Sequence, residues 1–487
     1  MPSSPDSSIH FDPQTRVFLL RLEHSFYALR VDDDNRLLHG GSGPLPARFG
    51  EENLSSLSEY EEPNFVWEQQ AARFELPTFG DVSYHDVALK ALFPQPAASL
   101  ETGEAAHLPV RDLRLRYQSH EIRHDAAPAL PPQHGRTTRR SEPRETLCLR
   151  LQDINYPFFV TLFLRLTPEL DIIERWIELK NGCDFAVEIE ALSFGAVHLP
   201  QGQYELTRTA GTWVREFTPL RQNLEMGRLV LDQQGLNTGH AFNPFYLLNE
   251  RNEASETAGA VFFGALAFSG NWNLRFEALT TGAVRVLGGY ESSDFSLGLA
   301  PGERHVTPAF VHGVAGDGWG GASRKLHRFA LDYVLPGWAD DEFRPVLYNG
   351  WEATYFDLSL EGQIALARGA AEVGVELFCV DDGWFGARRS DNAGLGDWTV
   401  SADVFPTGLG PLIAEVKQLG MKFGLWVEPE MVNPDSDLYR AHPDWVLHFP
   451  GRPRTEGRQQ LILDFGRPEV VEYIFEALDT LLREYEI

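Results

Sequence analysis

Cysteine is scarce: there are three in 487 residues, and none of Cys148, Cys183 and Cys379 stands in a CxxC spacing. That excludes a disulfide framework and offers no structural zinc site. Basic charge is also short, with 42 Lys and Arg against 70 Asp and Glu and a formal net charge of −28. An excess of that sign repels the phosphate backbone of nucleic acid and the anionic face of a membrane, so neither is expected as a partner. Neutral or cationic ligands are favoured, and the same charge also serves plain solubility. Long apolar runs are missing as well. "VFLLRL", from Val17 to Leu22, is too short and too charged to span a bilayer. The opening "MPSSPDSSIHFDPQT" has neither a basic n-region nor an apolar h-region, so a cytoplasmic location is expected.

What is present is enough apolar residue, 43%, for at least two cores, written in two different grammars. In "NWNLRFEAL", Trp272, Leu274 and Phe276 alternate with Asn273, Arg275 and Glu277, and "TLCLRLQD" sets Leu147, Leu149 and Leu151 on alternate positions. Period two is the mark of a half-buried strand. Similar runs recur ("FFVTLFLRL", "DIIERWIEL", "AVEIEALSF", "AVRVLGGY") with Gly, Pro, Asn or Asp between them, which predicts a large antiparallel sandwich. The aperiodic "HEIRHDAAPALPPQHGRTTRRSEPRE" reads as a solvated loop.

Near residue 335 the period changes. "RPVLYNGWEATYF", "VELFCVDDGWFG" and "MKFGLWVEPE" read as strands. Between and after them stand "EGQIALARGAAEVG", then "GLGPLIAEVKQLG" with Leu409, Leu412, Ile413, Val416 and Leu419 on one helical face. A last helix opens at Pro468 and places Val471, Ile474, Phe475, Leu478, Leu481, Leu482 and Tyr485 on one stripe. Strand and helix in alternation predict a (β/α) barrel or a doubly wound sheet. The expected organisation is a β domain over 1–325, a linker over 326–344 and an α/β region over 345–487.

In either α/β architecture the chemistry gathers at the C-terminal ends of the strands. Trp351 and Glu352 follow the first strand, Asp381, Asp382 and Trp384 the second, and Trp426, Glu428 and Glu430 the third. One acid after a strand is usually a cap or a solvated loop residue; acid and tryptophan together after three strands point to carbohydrate, since indole faces stack on sugar rings and carboxylates accept from hydroxyls. Asp381 and Asp382 are not expected to be a catalytic pair. Neighbours leaving a strand point apart, whereas a retaining glycosidase needs two carboxyls facing each other about 5–5.5 Å apart. They suit a fork that accepts from two hydroxyls of one sugar, and an Asn at either position is expected to weaken recognition with the fold intact.

"NGWEATYF", "FCVDDGWFG", "DWTVSADVFPTGLGPL", "GLWVEPEMVNPDSDLYRAHPDWVL" and "PRTEGRQQLILDF" together resemble the bacterial α-galactosidases of glycoside hydrolase family 36. Upstream, "GTWVREF", "TGHAFNPF" and "LGLAPGERHVTPAFV" resemble that family's N-terminal domain. The resemblance implies an antiparallel β-supersandwich followed by the first part of a (β/α)8 TIM barrel. It implies hydrolysis of terminal α-linked galactose with retention, through a covalent galactosyl-aspartate, without metal or organic cofactor, in a homo-oligomer, often a tetramer. By the same resemblance Asp381 and Asp382 contact the O4 and O6 hydroxyls, Trp351 and Trp426 wall the pocket, and Arg458 touches substrate. Glu428 and Glu430 are expected to be supporting residues. Where relatives carry a "YGTGDFR"-like loop this chain has "FGDVSYH", with Ser83 at the aspartate, His85 at the arginine and Asp81 as a substitute two positions away.

No catalytic carboxylate is expected among these residues: the family's nucleophile, in a motif like "DYIKWD", and its general acid are expected beyond Ile487. The chain is therefore expected to bind sugar without turning it over, and part of the last helix to be exposed. Two other classes remain open, a non-catalytic carbohydrate-binding fragment and a metal-dependent barrel enzyme using Asp381, Asp382, Glu428 and histidines, although no HxH or HExxH spacing supports the latter.

Overall fold

Alternating apolar residues become strands wherever the first three hundred residues carry them. The computed structural model describes residues 8–46, 74–80, 86–94, 109–125, 138–235, 237–279, 282–335, 344–485 and 487. Asp81, Ser83 and His85 lie outside the described residues. The chain divides into two units, Met1–Asp340 and Asp341–Ile487.

In the first unit Arg144–Asp153, Phe158–Thr167 and Ile172–Asn181 pair antiparallel in succession within a ten-stranded sheet. Val187–Leu199, Trp272–Ala278 and Val284–Tyr290 form the middle of a six-stranded sheet. One apolar core joins the two: Leu147, Leu149, Leu162 and Leu164 from the larger sheet cluster with Ile189, Phe194, Leu274 and Phe276 from the smaller. This is sheet on sheet, each contributing its apolar face. Helix Gly318–Phe329 crosses residue 325, and its Ala322 and Phe329 pack with Ile172, Val261 and Phe263 of the sandwich.

Two expectations are corrected here. The polar positions of Trp272–Ala278 do not face water: Asn273, Arg275 and Glu277 are all buried. They are covered and paired. Arg275 Nε donates to Asp86 at 2.6 Å and Nη2 to the Val87 carbonyl at 2.8 Å, while Glu277 accepts from the buried Arg285 at 2.7 Å. The second correction concerns the stretch read as a loop from His120, whose first six residues complete the strand Leu115–Asp125. That strand ends the large sheet, pairing on one side with Arg144–Asp153, and such an edge tolerates a His- and Arg-rich sequence.

A titratable cluster sits inside this sandwich. The His39 and His198 rings stack with centroids 4.9 Å apart, and His312 lies edge-on to Tyr27 at 5.4 Å. Tyr27 donates to the Glu75 carboxylate at 2.8 Å, and the same carboxylate is ion-paired with the buried Arg175. Arg175 thus neutralises the acid that would otherwise stabilise an imidazolium. Burial, followed by the charge of Arg175, pushes His312 down to about 3, and burial drives His198 well below the ordinary histidine range.

The second unit opens with three parallel strands, Leu347–Asn349, Leu377–Val380 and Lys422–Leu425, in the spatial order of the sequence. Helix Leu360–Glu372 joins the first two, capped by Ser359, whose hydroxyl accepts from Gly362 N at 3.2 Å. Helix Gly410–Gln418, with proline in its first turn, joins the second and third and buries Leu412, Ile413 and Val416. The final helix Pro468–Tyr485 divides its expected stripe. Ile474 and Leu481 are buried with Val470, whereas Val471, Phe475 and Leu482 stand 47%, 65% and 54% exposed. The packed face is centred on positions 470, 474 and 481, so the adjoining apolar positions turn outward.

The buried histidines predict acid sensitivity. Above a pH of about 6.5 neither the folded nor the unfolded chain protonates His312; below it only the unfolded chain does, until the folded value is reached. Stability should therefore fall as pH drops from about 6.5 toward 3, by about 1.4 kcal/mol per pH unit for this one group. His312→Phe keeps a ring in the site without the proton. Urea unfolding between pH 7 and 4.5 should show a shallower dependence in the variant, and identical slopes would refute a neutral buried imidazole.

Candidate active site

Register brings the candidate residues together. Asn349 lies opposite Cys379, and Val380 opposite Leu425, so the three strands end at one edge. Gly350 N donates to Cys379 O at 3.1 Å and Trp426 N to Val380 O at 2.9 Å, carrying the ladder one residue further. The next side chains open into a cleft of about 500 Å³ lined by Trp351, Asp381, Asp382, Asp391, Trp426, Val427, Glu428, Glu430 and Arg458. All five residues singled out from the sequence, Trp351, Asp381, Asp382, Trp426 and Arg458, thus line one cleft at the C-terminal edge of a parallel sheet.

The two neighbouring aspartates differ in their surroundings. Asp382 is 5% exposed, and both its oxygens accept from Arg388: Nε at 2.9 and 3.1 Å, Nη2 at 2.7 Å. Arg388 is itself buried and packs its guanidinium 5.5 Å from the Phe356 ring centre. Asp381 is half-buried and accepts from Asn349 Nδ2 at 2.5 Å and from the Asp382 amide at 2.7 Å. Both Asp381 oxygens and Asp382 Oδ1 accept from one donor each and keep a second lone pair for a ligand hydroxyl, whereas Asp382 Oδ2 already accepts from both Nε and Nη2 of Arg388. Removing the Asp382 charge would leave the buried Arg388 with only the exposed Asp391 carboxylate, 3.7 Å from Nη2, as counter-charge, which argues against an intact fold for Asn at 382.

Two indoles frame this edge. Trp351 is braced edge-on by Tyr355 at 5.1 Å and Phe356 at 5.2 Å, and Trp426 lies near Phe385 and Trp398. Trp384, the third strand-end tryptophan, is fully buried and donates from Nε1 to the Trp426 carbonyl at 2.8 Å, so it supports the wall from behind. Glu428 lies half-buried in the cleft, and burial, then the Glu430 carboxylate, raise it above the ordinary glutamate range. Cys379 is no nucleophile, because burial and then Asp381 push its thiol up to about 11.

Arg458 stands 72% exposed with its guanidinium 3.9 Å from the Asp391 carboxylate, too far for a hydrogen bond. Three supporting residues escaped the sequence reading: Asn349, Arg388 and Asn433. Arg388 had a signal, a basic pair in "GARRSDN" soon after two buried-strand acids, and Asn433 had only the turn-like "NPD". What these residues assemble is a water-open cleft with two indole faces, carboxylate acceptors on one side and a guanidinium donor on another. Such a set can hold an uncharged polyol ring by stacking and by charge-assisted hydrogen bonds.

Comparison with known proteins agrees with this geometry. The family model for the glycosyl hydrolase family 36 N-terminal domain matches residues 54–300, and the melibiase model matches residues 304–487. α-Galactosidase AgaA of Geobacillus stearothermophilus is 35% identical over 98% of this chain and 64% of its own length. The solved galactosidase domain of AgaSK, the bifunctional α-galactosidase/sucrose kinase of Mediterraneibacter gnavus, matches with a TM-score of 0.87 at 31% identity, over 98% of this chain and 65% of that one. A solved AgaA variant in complex with raffinose matches with a TM-score of 0.84 at 32% identity, over 96% of this chain and 64% of that one. The chain thus spans a little under two thirds of the length of these relatives. With the N-terminal domain model covering half of its residues and the melibiase model most of the remainder, the chain belongs to glycosyl hydrolase family 36.

Proposed function

We propose that the cleft binds a terminal α-linked galactose, and that the reaction it serves is hydrolysis of α-galactosides with retention through a galactosyl-aspartate. One observation carries this reading: two indole faces and a neighbouring pair of carboxylates converge at a single strand edge. In it Asp381 and Asp382 accept from the O4 and O6 hydroxyls, Trp351 and Trp426 stack on the ring, and Arg458 donates to the sugar. The raffinose complex of the AgaA variant supports raffinose-type oligosaccharides as ligands, and melibiose, which ends in the same sugar, follows. A cytoplasmic homo-oligomer, tetrameric by the family likeness, belongs to the same reading.

We assign no nucleophile or general acid within this cleft. Double displacement needs two carboxyls facing each other across the scissile bond. Asp382 is neutralised by Arg388, Asp381 is fixed by Asn349 and a backbone amide, and both emerge from the same strand end. On this reading the 487 residues bind galactoside without turnover of their own. Assayed on p-nitrophenyl α-galactoside beside AgaA, the purified chain should release no nitrophenol above background, while calorimetry should detect galactose binding. Turnover comparable to AgaA would overturn the assignment of roles, and absent binding would overturn the site.

The two aspartates should also part company on substitution. Asp381→Asn should weaken galactose binding by about 1.5–3 kcal/mol, the worth of one charge-assisted bond, with little change in melting temperature. Asp382→Asn should in addition destabilise the fold by about 3 kcal/mol, because Arg388 keeps only the exposed Asp391 carboxylate, 3.7 Å away, as counter-charge. Arg388→Met in the Asp382→Asn background should restore part of that stability. Equal melting temperatures for the two single variants would refute the asymmetry.

A further inference from the structure

Behind the cleft lies one side chain whose four hydrogen bonds join separate segments. Asn433 follows the short strand Met431–Val432 and is fully buried. Its Oδ1 accepts from Arg388 Nη1 at 3.0 Å and from Leu395 N at 2.9 Å. Its Nδ2 donates to Asp391 O at 3.1 Å and to Gln459 O at 2.7 Å. An amide offers two donors and a doubly accepting oxygen, so its capacity is filled.

Two of those partners bear on the cleft. Arg388 is the residue that holds Asp382. Gln459 sits beside Arg458 in a two-residue turn: Gly457 and Gln460 exchange both backbone hydrogen bonds, at 3.2 and 2.9 Å, and Arg458 and Gln459 have φ of 52° and 60°. Two consecutive left-handed residues are what an Asn-Gly pair adopts readily and what side chains with a Cβ resist. The turn therefore needs an external hold. The exposed Arg458 side chain supplies little of it, whereas the Asn433 amide grips the turn at the Gln459 carbonyl.

We propose that Asn433 is a positioning residue for sugar binding, fixing from behind both the Arg388-held carboxylate and the strained turn that presents Arg458. The inference rests on the reading of the cleft as a galactoside site and adds to it a residue that acts through others. Asn433→Asp keeps the acceptor side of these contacts, now with a negative charge beside Arg388, and removes the donors. The carboxylate still accepts from Arg388 and Leu395 N, but it cannot donate to the Asp391 and Gln459 carbonyls and faces them with negative charge.

The 487-residue chain is titrated calorimetrically with 1-deoxygalactonojirimycin, a galactose-shaped cation suited to a cleft with more acids than arginines. Asn433→Asp should weaken binding about tenfold. Gln459→Gly, which relieves the left-handed strain, should recover at least about threefold in the Asn433→Asp background. In an Arg458→Ala background, Asn433→Asp should cost much less than in the wild type, because both changes act through one group. Unchanged affinity on Asn433→Asp, even with a lower melting temperature, overturns the proposal, as does strict additivity with Arg458→Ala. Should Asn433→Asp fail to melt cooperatively, hydrogen exchange on the wild-type chain decides: residues 391–395 and 457–460 must gain protection together on adding the iminosugar, and protection of only one overturns the linkage. A wild-type chain that does not bind the iminosugar overturns the galactoside reading and this inference together; a wild type that binds, beside an unaffected Asn433→Asp, overturns the inference alone.

Discussion

Parallel register is the constraint from which the site follows. Hydrogen bonds between Leu347–Asn349, Leu377–Val380 and Lys422–Leu425 run every strand the same way, so three segments 30 or more residues apart must stop at the same edge. Antiparallel pairing would send alternate ends to opposite sides of the sheet. Once the register is set, the residue after each strand has little choice of direction. Trp426 and Asp381 become neighbours because Leu425 and Val380 already are, and the Trp426 amide extends the ladder to make it so.

That edge places charge where water is partly excluded, and the chain resolves the cost unevenly. Asp382 goes inside and takes Arg388 with it, a bidentate pair whose further donors are used by Asn433 and the Ala393 carbonyl. Interior charges survive only when paired and hydrogen-bonded on all sides. Asp381 stays half-exposed with neutral donors. The result is one fixed and one accessible acceptor beside each other. Glu428 remains in the cleft with its proton affinity raised by burial and then by Glu430.

Period and punctuation made much of this legible from sequence. Strands Arg144–Asp153 and Trp272–Ala278 and helix Gly410–Gln418 stand where alternation or a 3.6-residue repeat put them, and strand Leu377–Val380 and helix Leu360–Glu372 where an apolar run and an Ala-rich segment did. The candidate residues were legible for the same reason, since each directly follows a strand. What could not be read was what the polar residues meet. Arg388 and Asn433 are 45 positions apart, and nothing local says that one will donate to the other. Arg275 and Glu277 look solvent-facing until Asp86, from a distant segment, and Arg285, opposite Glu277 on the neighbouring strand, pair with them. Val471 and Phe475 likewise share a stripe with Ile474, and only packing selects which edge of that stripe is covered.

The two units use buried polarity for different ends. In the sandwich the charged and titratable groups are closed off: Glu75 is shared between Tyr27 and Arg175, and the imidazoles of His198 and His312 are held neutral. Such a network specifies how the sheets meet and answers chiefly to acid, because protonating a buried imidazole there finds no free anion. In the α/β unit the buried members, Arg388 and Asn433, exist to hold others that reach the cleft. That network ends in Asp382 and in the turn of Arg458, both of which line the cleft. A polar interior is therefore not one kind of feature. What separates the two networks is whether the last residue ends in the core or in the cleft.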